Sequence, residues 1–289
     1  METRLDKAYR YCEWITANHY ENFPVASWLL PRGKRAPIAV VYAFARSADD
    51  FADEGKYKGR SLELLEQWRA ALRAVGAGFS GPLMDHPIFI ALSDTLQKEN
   101  LPLQLLDDLL TAFIMDVTKK RYANWDELMT YCRYSANPVG RLVLTVFGYS
   151  DPKLHELSDG ICSGLQLANH WQDLSIDVMK DRIYVPQDLM NQFGVTAERL
   201  REYKAGKEIS IQFRMLMKEL VKKGRTLFDA GEPLIHRVNG RLRVELKLTL
   251  LGGRAILDRI EQAHYDVFRR RPVLSTAAQL RLLTRAIIS

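Results

Sequence analysis

Apolar residues return at intervals of three and four along nearly the whole chain: Leu62, Leu65, Trp68 and Leu72; Leu105, Leu109, Phe113 and Val117; Phe213, Leu216, Leu220 and Leu227. Such spacing keeps one stripe of an amphipathic helix apolar, and it recurs in every third of the sequence. Asn100 before Pro102, Asn124 with Glu127 three residues on, and Asp151 before Pro152 each mark a helix start. Sustained alternation of apolar and polar residues, bounded by hairpin turns, is hard to find. The pattern predicts an all-α protein.

The breaks at 76–86 and 149–153 lack the composition of long polar linkers, and no fixed-period repeat is present. With 289 residues, 47% of them hydrophobic, the chain reads as one helical domain spanning 1–289. Its longest apolar run, Ala36 to Ala45, is bounded by Arg35 and Arg46 and is well short of the roughly 20 residues of a membrane span. Glu2, Asp6 and Glu13 interrupt the first residues, which lack the apolar core of a signal peptide. A cytoplasmic location is expected, with any membrane contact peripheral, at the inner surface. Cys12, Cys132 and Cys162 are odd in number and widely spaced, so neither a disulfide framework nor a thiolate metal site is indicated.

Lys and Arg number 41 against 35 Asp and Glu, a formal charge of +6. That field suits an anionic partner without choosing among nucleic acid, a phosphate ester and an acidic membrane surface. No basic helix with interleaved aromatics appears, so nucleic acid is not expected. Gly76, Gly78 and Gly81 spell G-x-G-x-x-G, but helical spacing precedes them and Pro82 follows, which makes the segment a helix-ending loop rather than a dinucleotide fingerprint. The arginines at 269–271 read as a solvated charge run, and His170 as structural or exposed.

Two segments carry candidate chemistry. Asp49 and Asp53 stand four apart, with Arg46 and Asp50 near the same stripe; Gln166, Asn169, Asp173 and Asp177 follow at i, i+3, i+7 and i+11. Both stripes lie among apolar residues, so both helices are expected to be largely buried, and buried carboxylates call for a compensating charge. Mg²⁺ supplies it, because it takes oxygen ligands and bridges carboxylates to phosphate oxygens. Arg46, Lys180 and Arg182 would add cationic contacts to a diphosphate. Among the aromatics near these stripes, Tyr42 and Tyr131 are singled out as candidates to face a carbocation; Phe44, Phe51, Tyr134 and Trp171 read as core. A lone DxxxD is ordinarily a surface pair; two of them on apolar helices favour the metal.

These residues resemble those of the squalene/phytoene synthase family. The resemblance runs from 19–23 through 42–53, 131–140 and 166–186 to a weaker C-terminal helix ending near Tyr265. It implies a single-domain isoprenoid synthase helical bundle with a central active-site cavity and a prenyl diphosphate substrate. It implies further that Asp49, Asp53, Asn169, Asp173 and Asp177 surround Mg²⁺ at the diphosphate, with Arg46 and Gln166 assisting. His19 matches a diphosphate contact, and Tyr131 a tyrosine that handles a proton during ionisation.

Within the family, 19–27, 132–140 and Trp171-Gln172-Asp173 look like the bacterial hydroxysqualene synthase branch of hopanoid biosynthesis. Many phytoene and squalene synthases carry Arg in place of Gln172, a Gly-rich stretch in place of Asn137-Pro138 and Tyr in place of Gly253. These departures favour preformed presqualene diphosphate over condensation of two farnesyl diphosphates. The implied reaction is ionisation, cation rearrangement and capture by water. A condensing sister enzyme and a non-catalytic helical protein on a membrane surface stay open as alternatives.

Overall fold

The computed structural model describes residues 2–18, 30–78, 83 and 85–288. Every regular element among them is helical, and the β-type pairing among them is an isolated bridge between Arg121 and Ile183. The protein is therefore all-α. Two of the expected helix starts show their caps. Asn124 Oδ1 accepts from the Glu127 amide at 2.9 Å while the Glu127 carboxylate accepts from the Ala123 amide, and α6 (Trp125–Ser135) follows. Asp151 Oδ1 accepts from the Lys153 amide at 2.9 Å at the head of α8 (Pro152–Asp177). At the other end of a helix, α3 (Ser61–Ala77) stops on Gly78 at φ +70°, a left-handed cap that glycine adopts without steric cost. Gly81 lies outside the described residues.

The helices gather into two compact units, 1–118 with 134–155, and 119–133 with 156–289. Of the three divisions, two fall inside α6 and α8 and the third lies just past Thr118. In the first unit α2 (Arg32–Asp53) is the hub: it packs against α1 (Arg4–Asn18), α3, α4 (Pro87–Lys98), α5 (Leu103–Thr118) and α7 (Asn137–Val146). Its Val40, Ala43, Phe44 and Ala48 are fully enclosed, with Phe44 stacked on Trp68 and edge-on to Phe89. Phe44 is thus a core aromatic, as the sequence suggests. Leu62, at the head of the predicted stripe of α3, is exposed, because the buried face runs from Ser61 through Leu65, Trp68 and Leu72.

In the second unit α8 packs against α11 (Ile211–Gly231) at bare backbone. A Cβ on Gly231 would lie 2.7 Å from Leu157 O and from Ile161 N, and one on Gly160 would lie 2.9 Å from Leu227 O. One turn along, the buried Phe228 ring fills the space beside Gly164 of α8 and Gly253 of α12 (Gly240–Gln262). Short helices α9 (Gln187–Gln192) and α10 (Ala197–Lys204) follow α8, and α13 (Thr276–Ile288) packs on α12. No helix among the described residues is long and apolar enough to cross a membrane.

Candidate active site

On α2 the apolar and acidic residues separate by helical geometry. Ile38, Tyr42, Arg46, Asp49 and Asp53 recur at three or four residues, so the hydrocarbon end of one stripe leads into its charged end. A cavity of about 210 Å³ opens along it within the first unit. Its walls are mainly Ile38, Val41, Leu109, Phe113, Val139, Leu142 and Val143, and Tyr42, Arg46, Asp49 and Ser135 supply its polar part. Arg46 reaches Asp50 Oδ1 at 2.6 Å and Asp49 Oδ2 at 3.4 Å, which fixes the guanidinium across the head of the cavity. Burial raises the Tyr42 phenol above its ordinary pKa, Arg46 opposes this, and Asp49 and Asp50 add to it. Tyr42 therefore stays protonated as a hydrogen-bond donor.

The acidic side chains are not core residues, contrary to the expectation of largely buried carboxylates. Asp49 keeps 40% of its side chain exposed and Asp173 28%, Asp177 is half-buried, and Asp53 and Asn169 are exposed. The burial predicted for their helices falls instead on the opposite faces, at Val40 and Phe44 of α2 and at Leu167, Trp171 and Leu174 of α8.

Along α8, Gln166 is half-buried and its amide nitrogen lies 3.1 Å from His170 Nε2. An amide N–H donates, so the ring nitrogen accepts, which requires neutral histidine. The surroundings enforce that state: burial, with a smaller push from Arg182, drives the His170 pKa from 6.5 to about 3. The ring stacks on Tyr184 at 3.7 Å between centroids, and Tyr131 and Tyr122 complete the aromatic cluster. Tyr131 is buried there at the inner side of α6. Tyr184 is delivered by the segment after α8, which is tied down at both ends. Ile183 N donates to Lys120 O at 3.0 Å and Gln187 N to Tyr122 O at 2.9 Å, and Arg121 and Arg201 both engage Asp181. Arg182, half-buried, starts this segment and donates its backbone N–H to Asp177 O at 2.9 Å; Lys180 is exposed.

Two residues outside the predicted set complete the picture. His170 is neither exposed nor idle, since it holds Gln166. Arg271, expected to be part of a solvated run, instead closes on Asp173: Nη2 lies 3.1 Å from Oδ2, Nε contacts Oδ1, and Nη2 is 3.4 Å from Gln172 Oε1. The Gln172 amide in turn donates to Pro272 O, so the strap is held at adjacent positions. Its signal was present but weak: from Val267 onward the chain has no Asp or Glu, and with the nearby Asp266 taken by Arg269, Arg271 finds its carboxylate at a distance. His19 lies outside the described residues.

The donor chemistry fits a hard divalent cation. Each unit offers two carboxylates one helical turn apart, already engaging a cation in Arg46 or Arg271, and the side-chain oxygens of Gln166 and Asn169 share the α8 stripe. Among the described residues no three His, Cys, Asp or Glu side chains converge as a complete cage. Paired carboxylates of this kind suit Mg²⁺, which completes its shell with water and phosphate oxygens.

The family model for squalene/phytoene synthase matches residues 16–278. A hydroxysqualene synthase of Sinorhizobium fredii is 38% identical over 266 residues, covering 90% of this chain and 85% of that protein. A phytoene synthase of Arthrospira platensis is 30% identical over 297 residues, covering 98% and 93%. Among solved structures, squalene synthase HpnC from Alicyclobacillus acidocaldarius superimposes with a TM-score of 0.83 at 39% identity, covering 90% of this chain and 95% of that one.

Proposed function

The chain belongs to the squalene/phytoene synthase family, and from that premise we propose that it converts presqualene diphosphate to hydroxysqualene in hopanoid biosynthesis. The observation that carries this reading is the α2 cavity, an aliphatic pocket whose polar part is formed by Tyr42, Arg46 and Asp49. Its chemistry matches an amphiphile with an anionic head and a hydrocarbon tail.

In the proposed reaction the C–O bond to the diphosphate breaks and its electron pair leaves with the diphosphate. The carbocation rearranges, a water oxygen adds to it, and the proton released leaves the products as an alcohol and diphosphate. Mg²⁺, when bound by Asp49, Asp53, Asn169, Asp173 and Asp177, would supply Lewis-acid stabilisation of the leaving group. Arg46, Gln166, Arg182 and His19 bind the diphosphate in this reading, and Tyr42 borders the hydrocarbon. Gln166 is oriented by neutral His170, and Tyr131 handles the proton during ionisation. Residues 1–289 act as one domain, which the interleaving of the two units supports. In this reading the enzyme works in the cytoplasm, and its C30 product favours peripheral contact at the inner membrane surface.

The phytoene synthase relative favours a second reading, a condensing enzyme. Incubating purified protein and Mg²⁺ with either presqualene or farnesyl diphosphate separates the two. Hydroxysqualene from presqualene diphosphate supports the first reading; a lipid product from farnesyl diphosphate alone overturns it.

A further inference from the structure

Helix α13 presents two apolar stripes, and its inner packing uses one. Ala278, Leu282 and Ala286, at i, i+4 and i+8, form the covered stripe, with Ala286 buried. Leu280 and Ile287, at i and i+7, stand on a second side turned outward, 60% and 56% exposed, with Leu283 half-buried between the two stripes. Ile288 beside it is 79% exposed. Arg281 and Arg285 stand one turn apart along the edge of that outer stripe, both exposed.

The charge of this region is one-sided. From Val267 to the end the chain carries five arginines and no Asp or Glu, in a protein whose formal charge is +6. An outward apolar stripe bordered by arginine is the arrangement of a helix lying in a lipid interface, with aliphatic side chains below the headgroups and guanidinium groups at their level. A second copy fits poorly, since an isologous pairing through this face would set the same arginines against each other. Nucleic acid would leave the leucine stripe in water.

We propose that α13 docks the protein on an anionic lipid bilayer, with Leu280 and Ile287 inserted and Arg281 and Arg285 on the lipid phosphates. The inference deepens the reading of the product as a membrane lipid, yet it stands on surface chemistry and is tested without turnover.

The experiment is vesicle co-sedimentation of the full chain, without substrate, on phosphatidylglycerol/phosphatidylcholine and on phosphatidylcholine alone. Binding is expected on the anionic vesicles and to weaken with salt. Leu280→Ser with Ile287→Ser, and separately Arg281→Gln with Arg285→Gln, should each lower partitioning by roughly tenfold or more. Melting temperature should stay near wild type and turnover of detergent-dispersed substrate unchanged. Equal binding to both vesicle types, or undiminished binding of both double variants, overturns the proposal. So does a dimer in analytical ultracentrifugation that Leu280→Ser abolishes while vesicles capture nothing. If vesicle binding behaves as expected but presqualene diphosphate is not turned over, the docking surface stands and the reaction assignment fails.

Discussion

Arg271 holds the carboxylate of Asp173 from 98 residues away in sequence, with Nη2 3.1 Å from Oδ2 and Nε on Oδ1. A guanidinium so placed neutralises a group proposed to bind metal, so an incoming cation must displace it or share the carboxylate. Arg271 is 43% exposed, and an ion pair of that exposure contributes at most about 1 kcal/mol. Arg271→Ala should therefore raise the affinity for Mg²⁺, measured by titration calorimetry without diphosphate, by up to roughly fivefold. Unchanged or weaker Mg²⁺ binding would mean that the strap does not compete for Asp173.

Asp49→Asn and Asp173→Asn preserve shape while removing a negative charge from each acidic stripe. Both should reduce product formation by at least about a hundredfold, as loss of a metal-binding or charge-stabilising group typically does. Both carboxylates keep solvent access, so folding stability should move by no more than about 1 kcal/mol. A variant with normal turnover would remove its stripe from the proposed site; one that no longer folds would show in the melting curve.

Elements whose physics is local were legible in the sequence. The helix starts at Asn124 and Asp151 follow from side chains reaching amides two or three residues on, and the Asp49/Asp53 and Asp173/Asp177 pairs from the pitch of one helix. What escaped depends on distant neighbours. Arg271 has no partner in its own run, and the protonation of His170 is decided by burial, under a Tyr184 ring that arrives through a bridge to 120–122. The exposure of the acidic stripes escaped too, because apolar residues around the circumference of α2 and α8 do not say which sides other helices cover.

Gly253 is another such case. A Tyr is common at this position in the family, but a Cβ here would lie 2.3 Å from the Phe228 ring, which is fully buried. Gly253→Ala should cost about 1–3 kcal/mol through overpacking, more than the roughly 1 kcal/mol that alanine gains over glycine in a helix. Combining it with Phe228→Leu should give a loss smaller than the sum of the two single losses in urea denaturation. Additive losses would show that the ring and Gly253 do not share this space.

His170 makes stability depend on pH in a predictable direction. In the unfolded chain it takes up a proton below about 6.5, whereas burial keeps the folded ring neutral down to about 3. Between those values the unfolded state binds more protons, so stability falls as pH falls; above 6.5 the ring is neutral in both states and the effect vanishes. From pH 6.5 to 5 the loss should be about 1–2 kcal/mol. His170→Asn should be less stable than wild type at pH 7.5, having lost the stack on Tyr184, but should lose less over that interval. Carboxylates and the remaining histidines titrate in both proteins and cancel in the difference of the two denaturation curves. Parallel curves would mean that the folded ring takes up its proton as readily as the unfolded one, so that below about pH 6.5 it could not accept from Gln166. The same measurement therefore tests both the burial of His170 and the hydrogen bond that positions Gln166 on the α8 stripe.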